Sequence, residues 1–140
     1  MAGLPNAAHT ELEPDARVPL LIPVSRPVQG RGAGSPKLTG NLVIRLKSGS
    51  VAAKAYGKLI VRETFGCNYE LNPEYRALLE GSGLAITGEN EHGDARLAEI
   101  PGHRYFIGTG FIPQLSSTSQ SPHPLITAFL KAALAFGNKR

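Results

Sequence analysis

Between Gly49 and Asn72 the chain changes character three times, which leaves room only for short elements joined by tight turns. Gly49–Ser50–Val51–Ala52–Ala53–Lys54–Ala55–Tyr56–Gly57 is a small-residue stretch. Leu59–Glu63 is β-rich and predicts a strand, and Phe65–Gly66 predicts a turn. Asn72–Pro73 then opens a helix. A proline in the first turn costs no hydrogen bond, and Glu74 suits the positive end of the helix dipole. Tyr75, Leu78 and Leu79 supply an apolar face at helical spacing, and Gly81 and Gly83 end it. Sixteen glycines and eleven prolines in 140 residues carry the same message along the whole chain.

Residues 1–16 are polar and turn-rich. Val18–Val24 is apolar but interrupted by Pro19 and Pro23, which predicts an extended edge segment. Ser25–Asn41 has no periodicity and is rich in Gly and Pro, so a surface loop is expected over 25–41. Leu42–Lys47 alternates with the period of a half-buried strand. Leu84–Thr87, Ala95–Ile100 and Tyr105–Ile112 predict three more strands, separated by turn sequences at Gly88–Gly93 and Pro101–Gly102. The last element is a helix entered through Pro122 and Pro124. Leu125, Phe129, Ala132 and Phe136, with Ile126, Leu130 and Ala133, form its broad apolar face, and Gly137 and the cationic Lys139–Arg140 close it.

This size predicts one domain with a modest core. No apolar run approaches the roughly 20 residues of a membrane span, and no secretory signal pattern is visible at the N-terminus. The single cysteine excludes an intrachain disulfide framework and points to a reducing, cytoplasmic compartment. The net charge of +4 is unevenly spread. Seven basic residues and no acid lie from Arg31 to Arg62, and eight acids against Arg76 and Arg96 from Glu63 to Glu99. Only Tyr56 is interleaved with the basic residues and no nucleic-acid motif is present, so the pattern is a solvated basic face and argues against a nucleic-acid partner. His9, His92, His103 and His123 lack metal-ligand spacing. His92 is expected in a turn, and His103 and His123 in structural roles beside Pro and Gly.

Several blocks resemble the glutamine amidotransferase domain of CTP synthase. Gly49–Gly57 is similar to that family's G-S-x-A-x-K-A-Y-G. Glu63, Tyr69, Glu70 and Asn72 match its E-R-H-R-H-R-Y-E-V-N, with Thr64–Phe65–Gly66–Cys67–Asn68 in place of the basic run. Asn6–Ala7, Thr10–Glu11 and Pro14 resemble N-A-N-S-T-E-F-D-P. Pro122–His123–Pro124–Leu125 followed by Phe129 resembles P-H-P-L-F-x-G-F. The likeness runs from about Asn6 to Ala133, with a gap in the Gly-rich loop. It implies an α/β fold, the C-terminal part of a class I glutamine amidotransferase (flavodoxin-like) fold with a mixed, largely parallel sheet, and a place in pyrimidine nucleotide biosynthesis.

The family's chemistry uses a Cys–His–Glu triad, in which a thiolate attacks the glutamine amide and a histidine moves the proton. Its nucleophile lies in G-x-C-x-G, a motif this chain does not contain. Its F-H-P-E appears here as Phe111–Ile112–Pro113–Gln114, so the His and Glu positions hold Ile112 and Gln114. Glu11 matches the residue that meets the glutamine ammonium, or else is a surface acid. Asn68 replaces the arginine that pairs with the carboxylate, removing a strong charge-assisted contact. Cys67 falls among the replaced basic residues, either as a buried inert thiol or as a reactive one. The resemblance therefore implies a degenerate segment without glutaminase activity, with no cofactor or metal and no place for the ligase substrates ATP and UTP.

Such a segment is expected to act as a binding or interaction module. Its partners would be a small amino-acid-like ligand, a protein, or a second copy joined through an exposed sheet edge, and not a membrane. The alternative is the C-terminal half of a split or truncated enzyme whose other half supplies the cysteine.

Overall fold

A computed structural model describes residues 3–24 and 39–137. Among these residues, eight strands form two sheets. The smaller joins β1 (Ala7–His9), β2 (Val18–Pro23) and β5 (Tyr69–Leu71) in the order β1-β2-β5, with β1 parallel and β5 antiparallel to β2. The larger contains β3 (Thr39–Leu46), β4 (Ile60–Gly66), β6 (Ala85–Glu89), β7 (Ala95–Glu99) and β8 (Ile107–Thr109), in the order β4-β3-β6-β7-β8. Every pairing in it is antiparallel. The fold class is the expected α/β with a mixed sheet, whereas the expectation of a largely parallel sheet gives way. Parallel neighbours need a crossover of about a dozen residues or more, and the short turn between β6 and β7 permits only a hairpin.

Local boundaries moved as well. β3 begins at Thr39, inside the span read as loop, and the remainder of that loop, with Lys139 and Arg140, lies outside the described residues. The strand expected over Tyr105–Ile112 is confined to Ile107–Thr109. The proline-started helix opens as a 3₁₀ turn over Pro73–Tyr75 before α2 (Arg76–Gly81), with the Asn72 side chain accepting from the Glu74 amide at 3.1 Å.

The small-residue block folds as a further helix, α1 (Val51–Tyr56). The Ser50 hydroxyl accepts from the Ala53 amide at 3.0 Å, and Gly57 closes the helix at φ +67°, a conformation that penalises any side chain. Alanines at 52 and 53 are buried because α1 lies on the core formed by Ile44, Leu46, Val61, Phe65, Leu97, Phe111 and Leu125. Gly88 is equally constrained: a Cβ there would stand 2.8 Å from Leu97 and 3.1 Å from Ile44.

The C-terminal helix α3 (Pro124–Gly137) packs on α1, and of its apolar face only Leu125 is fully buried. Phe129, Leu130, Leu134 and Phe136 are exposed. The Arg104 guanidinium lies 3.8 Å from the centre of the Phe136 ring. No helix among the described residues is long and apolar enough to cross a membrane.

Candidate functional site

Two polar clusters organise the interior. In the first, Tyr56 at the end of α1 donates to Glu63 Oε1 at 2.6 Å, and His123 Nε2 lies 3.1 Å from both Glu63 oxygens. The Leu125 amide donates to His123 Nδ1 at 3.2 Å, so that nitrogen is an acceptor and Nε2 carries the proton directed at Glu63. The Ser116 hydroxyl adds a longer contact to Glu63 at 3.5 Å, and the His123 amide donates to the Ser117 hydroxyl at 3.0 Å. Glu63 and His123 are 5% and 3% exposed. Burial, reinforced by the Glu63 hydrogen bond and charge, pushes the Tyr56 phenol far above the usual tyrosine range.

The second cluster sits at the other end of α1. Glu99 accepts from the amides of Val51 and Ala52, each at 2.9 Å, and from the Thr87 hydroxyl at 3.0 Å. One carboxylate thus occupies two of the four amide donors that every helix leaves unpaired at its start, and ties β7 to α1.

Ile112 stands where the chain leaves β8 for a 3₁₀ turn over Pro113–Ser116. Its amide donates to the Thr64 carbonyl at 3.3 Å on the edge of β4, and its side chain lies against Gly66. Gln114 is exposed in that turn. Ile112, Gln114, Tyr105, Phe111 and Phe129 line an apolar depression of about 500 Å³. An isoleucine has no proton to move and a glutamine no charge to stabilise an imidazolium.

Asn68 is half-buried between β4 and β5, and its carbonyl accepts from the Val24 amide at 2.8 Å. Glu11 is exposed in the turn after β1, its amide donating to His9 Nδ1 at 3.1 Å. The His9 ring packs at a tilt against Tyr69, centroids 4.4 Å apart, which brings the Glu11 turn alongside the segment that holds Asn68. Ile112 approaches the same segment through Gly66. Gln114 is exposed beside Ile112 at the depression.

Cys67 is half-buried, neither sealed in the core nor fully open. It lines a cleft of about 640 Å³ together with Tyr69 and Arg96. Arg96 is buried and pairs through Nη2 with Glu70 at 2.9 Å and Asp94 at 3.5 Å. Its Nε has no hydrogen-bond partner among the described residues. His92 lies in the expected turn, and His103 is exposed, its Nδ1 accepting from the Tyr105 amide at 3.3 Å. Among the described residues no group of three His, Cys, Asp or Glu side chains is placed to hold a metal ion.

The chain is similar to part of several known proteins. A CTP synthase of Chlorobium phaeobacteroides is 36% identical over 137 residues, covering 97% of this chain and 24% of the relative. One from Saccharolobus solfataricus is 32% identical over 130 residues, covering 93% of the chain and again 24% of the relative. The glutaminase domain of Trypanosoma brucei CTP synthase, solved with bound acivicin, superposes at a TM-score of 0.84 over 96% of this chain and 53% of that one, at 24% identity. The chain is CTP synthase-like. It spans about a quarter of the length of the curated relatives it matches. No protein-family model matches it.

The two blocks that carry the CTP synthase likeness most specifically, Gly49–Gly57 and Pro122–Leu125, meet in space. Tyr56 from one and His123 from the other are 3.2 Å apart and share Glu63. Sequence reasoning singled out each block and missed that they form one buried network. The only available signal was the joint presence of Tyr56, Glu63 and His123.

Proposed function

We propose that this chain is a single, partial CTP synthase-like glutaminase domain that does not hydrolyse glutamine and serves as an interaction module in a reducing, cytoplasmic compartment. One observation carries the reading. At the position where the family resemblance expects the proton-moving histidine, the side chain is Ile112, packed against Gly66, and its expected carboxylate partner is the exposed Gln114. Asn68 in place of an arginine further weakens a grip on the glutamine carboxylate. Glu11 remains available for an ammonium group, which supports a weak amino-acid-like ligand.

Loss of one triad member already costs orders of magnitude in rate, so two substitutions put turnover out of reach. The test is ammonia release from glutamine, with and without ATP and UTP. The expected result is none above buffer, both for the native chain and after Ile112→His with Gln114→Glu. Activity in the native chain would sink the reading. Activity in the double variant that disappears on Cys67→Ser would show that Cys67 reaches the catalytic position.

A second reading is that another polypeptide supplies the nucleophile. The open apolar depression beside Ile112, and a match to 53% of a solved glutaminase domain, support it. Co-expression with a segment containing G-x-C-x-G separates the two: a stable complex favours the split enzyme, and no association favours the stand-alone module.

A further inference from the structure

We propose that the cleft beside Cys67 is a groove for an extended peptide segment bearing cationic side chains, which pairs with the open edge of β3. Four consecutive residues of β3, Gly40 to Val43, line the cleft. Neighbouring side chains on a strand point to opposite faces, so four in a row line one cavity only if it runs along the strand's edge. The pairing pattern agrees. On one side β3 is matched to β4 from Thr39 to Arg45, but on the other it meets β6 only at Arg45 and Leu46. From Thr39 to Ile44 that second edge has no strand partner among the described residues. An unpaired edge is a template for strand addition, in which main-chain bonds give affinity and alternate side chains give selectivity.

The charge of the opposite wall selects the occupant. Glu91 and Asp94 line the cleft from the β6–β7 turn, and Glu91 is largely exposed. Arg96 offsets them only in part, because it is shared between Glu70 at 2.9 Å and Asp94 at 3.5 Å, and the largely exposed Glu91 is left as the acid facing outward. The groove therefore presents net negative charge to an incoming strand, which favours lysine or arginine at alternate positions. About 640 Å³ is room for a few residues and not for a folded domain.

The inference rests on the chain being an interaction module, not on its inactivity, so glutamine hydrolysis would sink the second without touching the first. The single thiol of this chain reports occupancy, since Cys67 lines the same cleft. Three labelled hexapeptides are titrated against the full chain by fluorescence anisotropy: alternating valine and lysine, alternating valine and glutamate, and the lysine peptide N-methylated at alternate amides. The lysine peptide is expected to bind, to weaken with salt, and to slow alkylation of Cys67 at least threefold. The other two are expected to bind at least tenfold more weakly. Glu91→Lys, at an exposed site, is expected to leave the thermal melt unchanged and to weaken the lysine peptide at least fivefold. Absence of binding at millimolar peptide, equal binding of the lysine and glutamate peptides, full tolerance of N-methylation, or binding without protection of Cys67 would each overturn the proposal.

Discussion

The buried corner at Glu63 and the open face at Ile112 share one short turn and follow opposite rules. Pro113–Ser116 belongs to both: Ser116 reaches Glu63 at 3.5 Å, while Gln114, two residues earlier, lies in solvent. On the inner side each polar group depends on another. Glu63 takes donors from Tyr56 and His123, and His123 Nδ1 holds the Leu125 amide at the start of α3. Removing any one leaves the others with a hydrogen bond fewer in a largely buried place. On the outer side Ile112 has only packing to satisfy and Gln114 has no constraint from burial. The residues that match the CTP synthase pattern best are thus those whose loss the fold would feel. At Ile112 and Gln114, which depart from it, no buried polar partner depends on the side chain, although another departure, Phe65, is part of the core.

The harshest test of this contrast is Glu63→Ala. It removes the acceptor that Tyr56 and His123 share, leaving them only their mutual contact at 3.2 Å, and an under-satisfied buried polar group typically costs about 1–3 kcal/mol for each group affected. Thermal unfolding followed by circular dichroism should show a midpoint lower by roughly 10 °C or more, or no cooperative transition. A melt unchanged within error would mean that the cluster contributes nothing and that the contrast is false.

Leu125→Ala probes the same corner through its packing. Leu125 is fully enclosed at the foot of α3, and such truncations cost about 2–4 kcal/mol. Phe129→Ala on the exposed part of the same helix should cost under about 1 kcal/mol if that face has no partner. Equal losses in urea titrations of the two variants would show that the outer face of α3 is covered in solution.

Alkaline pH sharpens the comparison without mutation. The raised Tyr56 pKa means that the folded state holds a proton which the unfolded chain releases near pH 10. Below that pH the stabilisation is complete, and it declines as pH rises above it. The urea midpoint should fall above about pH 10, and Tyr56→Phe should fall less steeply. Burial likewise raises Tyr105, a smaller contribution of the same sign.

At the mild end, Gln114→Ala should change stability by no more than about 0.5 kcal/mol, because the side chain is exposed and no buried group depends on it. Differential scanning calorimetry on the two proteins decides this. A large loss would assign Gln114 a structural role on the outer face.

The sequence disclosed the α/β class, the main strands and both proline-started helices, because periodicity and turn residues are local signals. It did not disclose α1. Six residues are too few to show a helical period, and the cues were Ser50 and Gly57 at the two ends. Nor did it disclose the antiparallel order of the larger sheet, since strand direction is a property of connections and not of strand composition. Of the site, Ile112, Gln114 and Asn68 were legible as substitutions in a motif. The open edge of β3 was not, because it depends on where β6 stops pairing. The Glu63–His123 contact joins residues 60 apart and no pattern announces it.

The Glu99 bridge to α1 also bears on the order of folding. A six-residue helix lies well below the length at which an isolated helix persists in water. Two of its leading amides wait for a carboxylate 47 and 48 positions downstream. The helix is therefore expected to form late, after β6 and β7 pair and bring Glu99 to its amides. In kinetic terms, truncating Ala52 or Glu99 should accelerate unfolding and leave the refolding rate nearly untouched. One of the blocks that carry the resemblance would then be among the last to take shape.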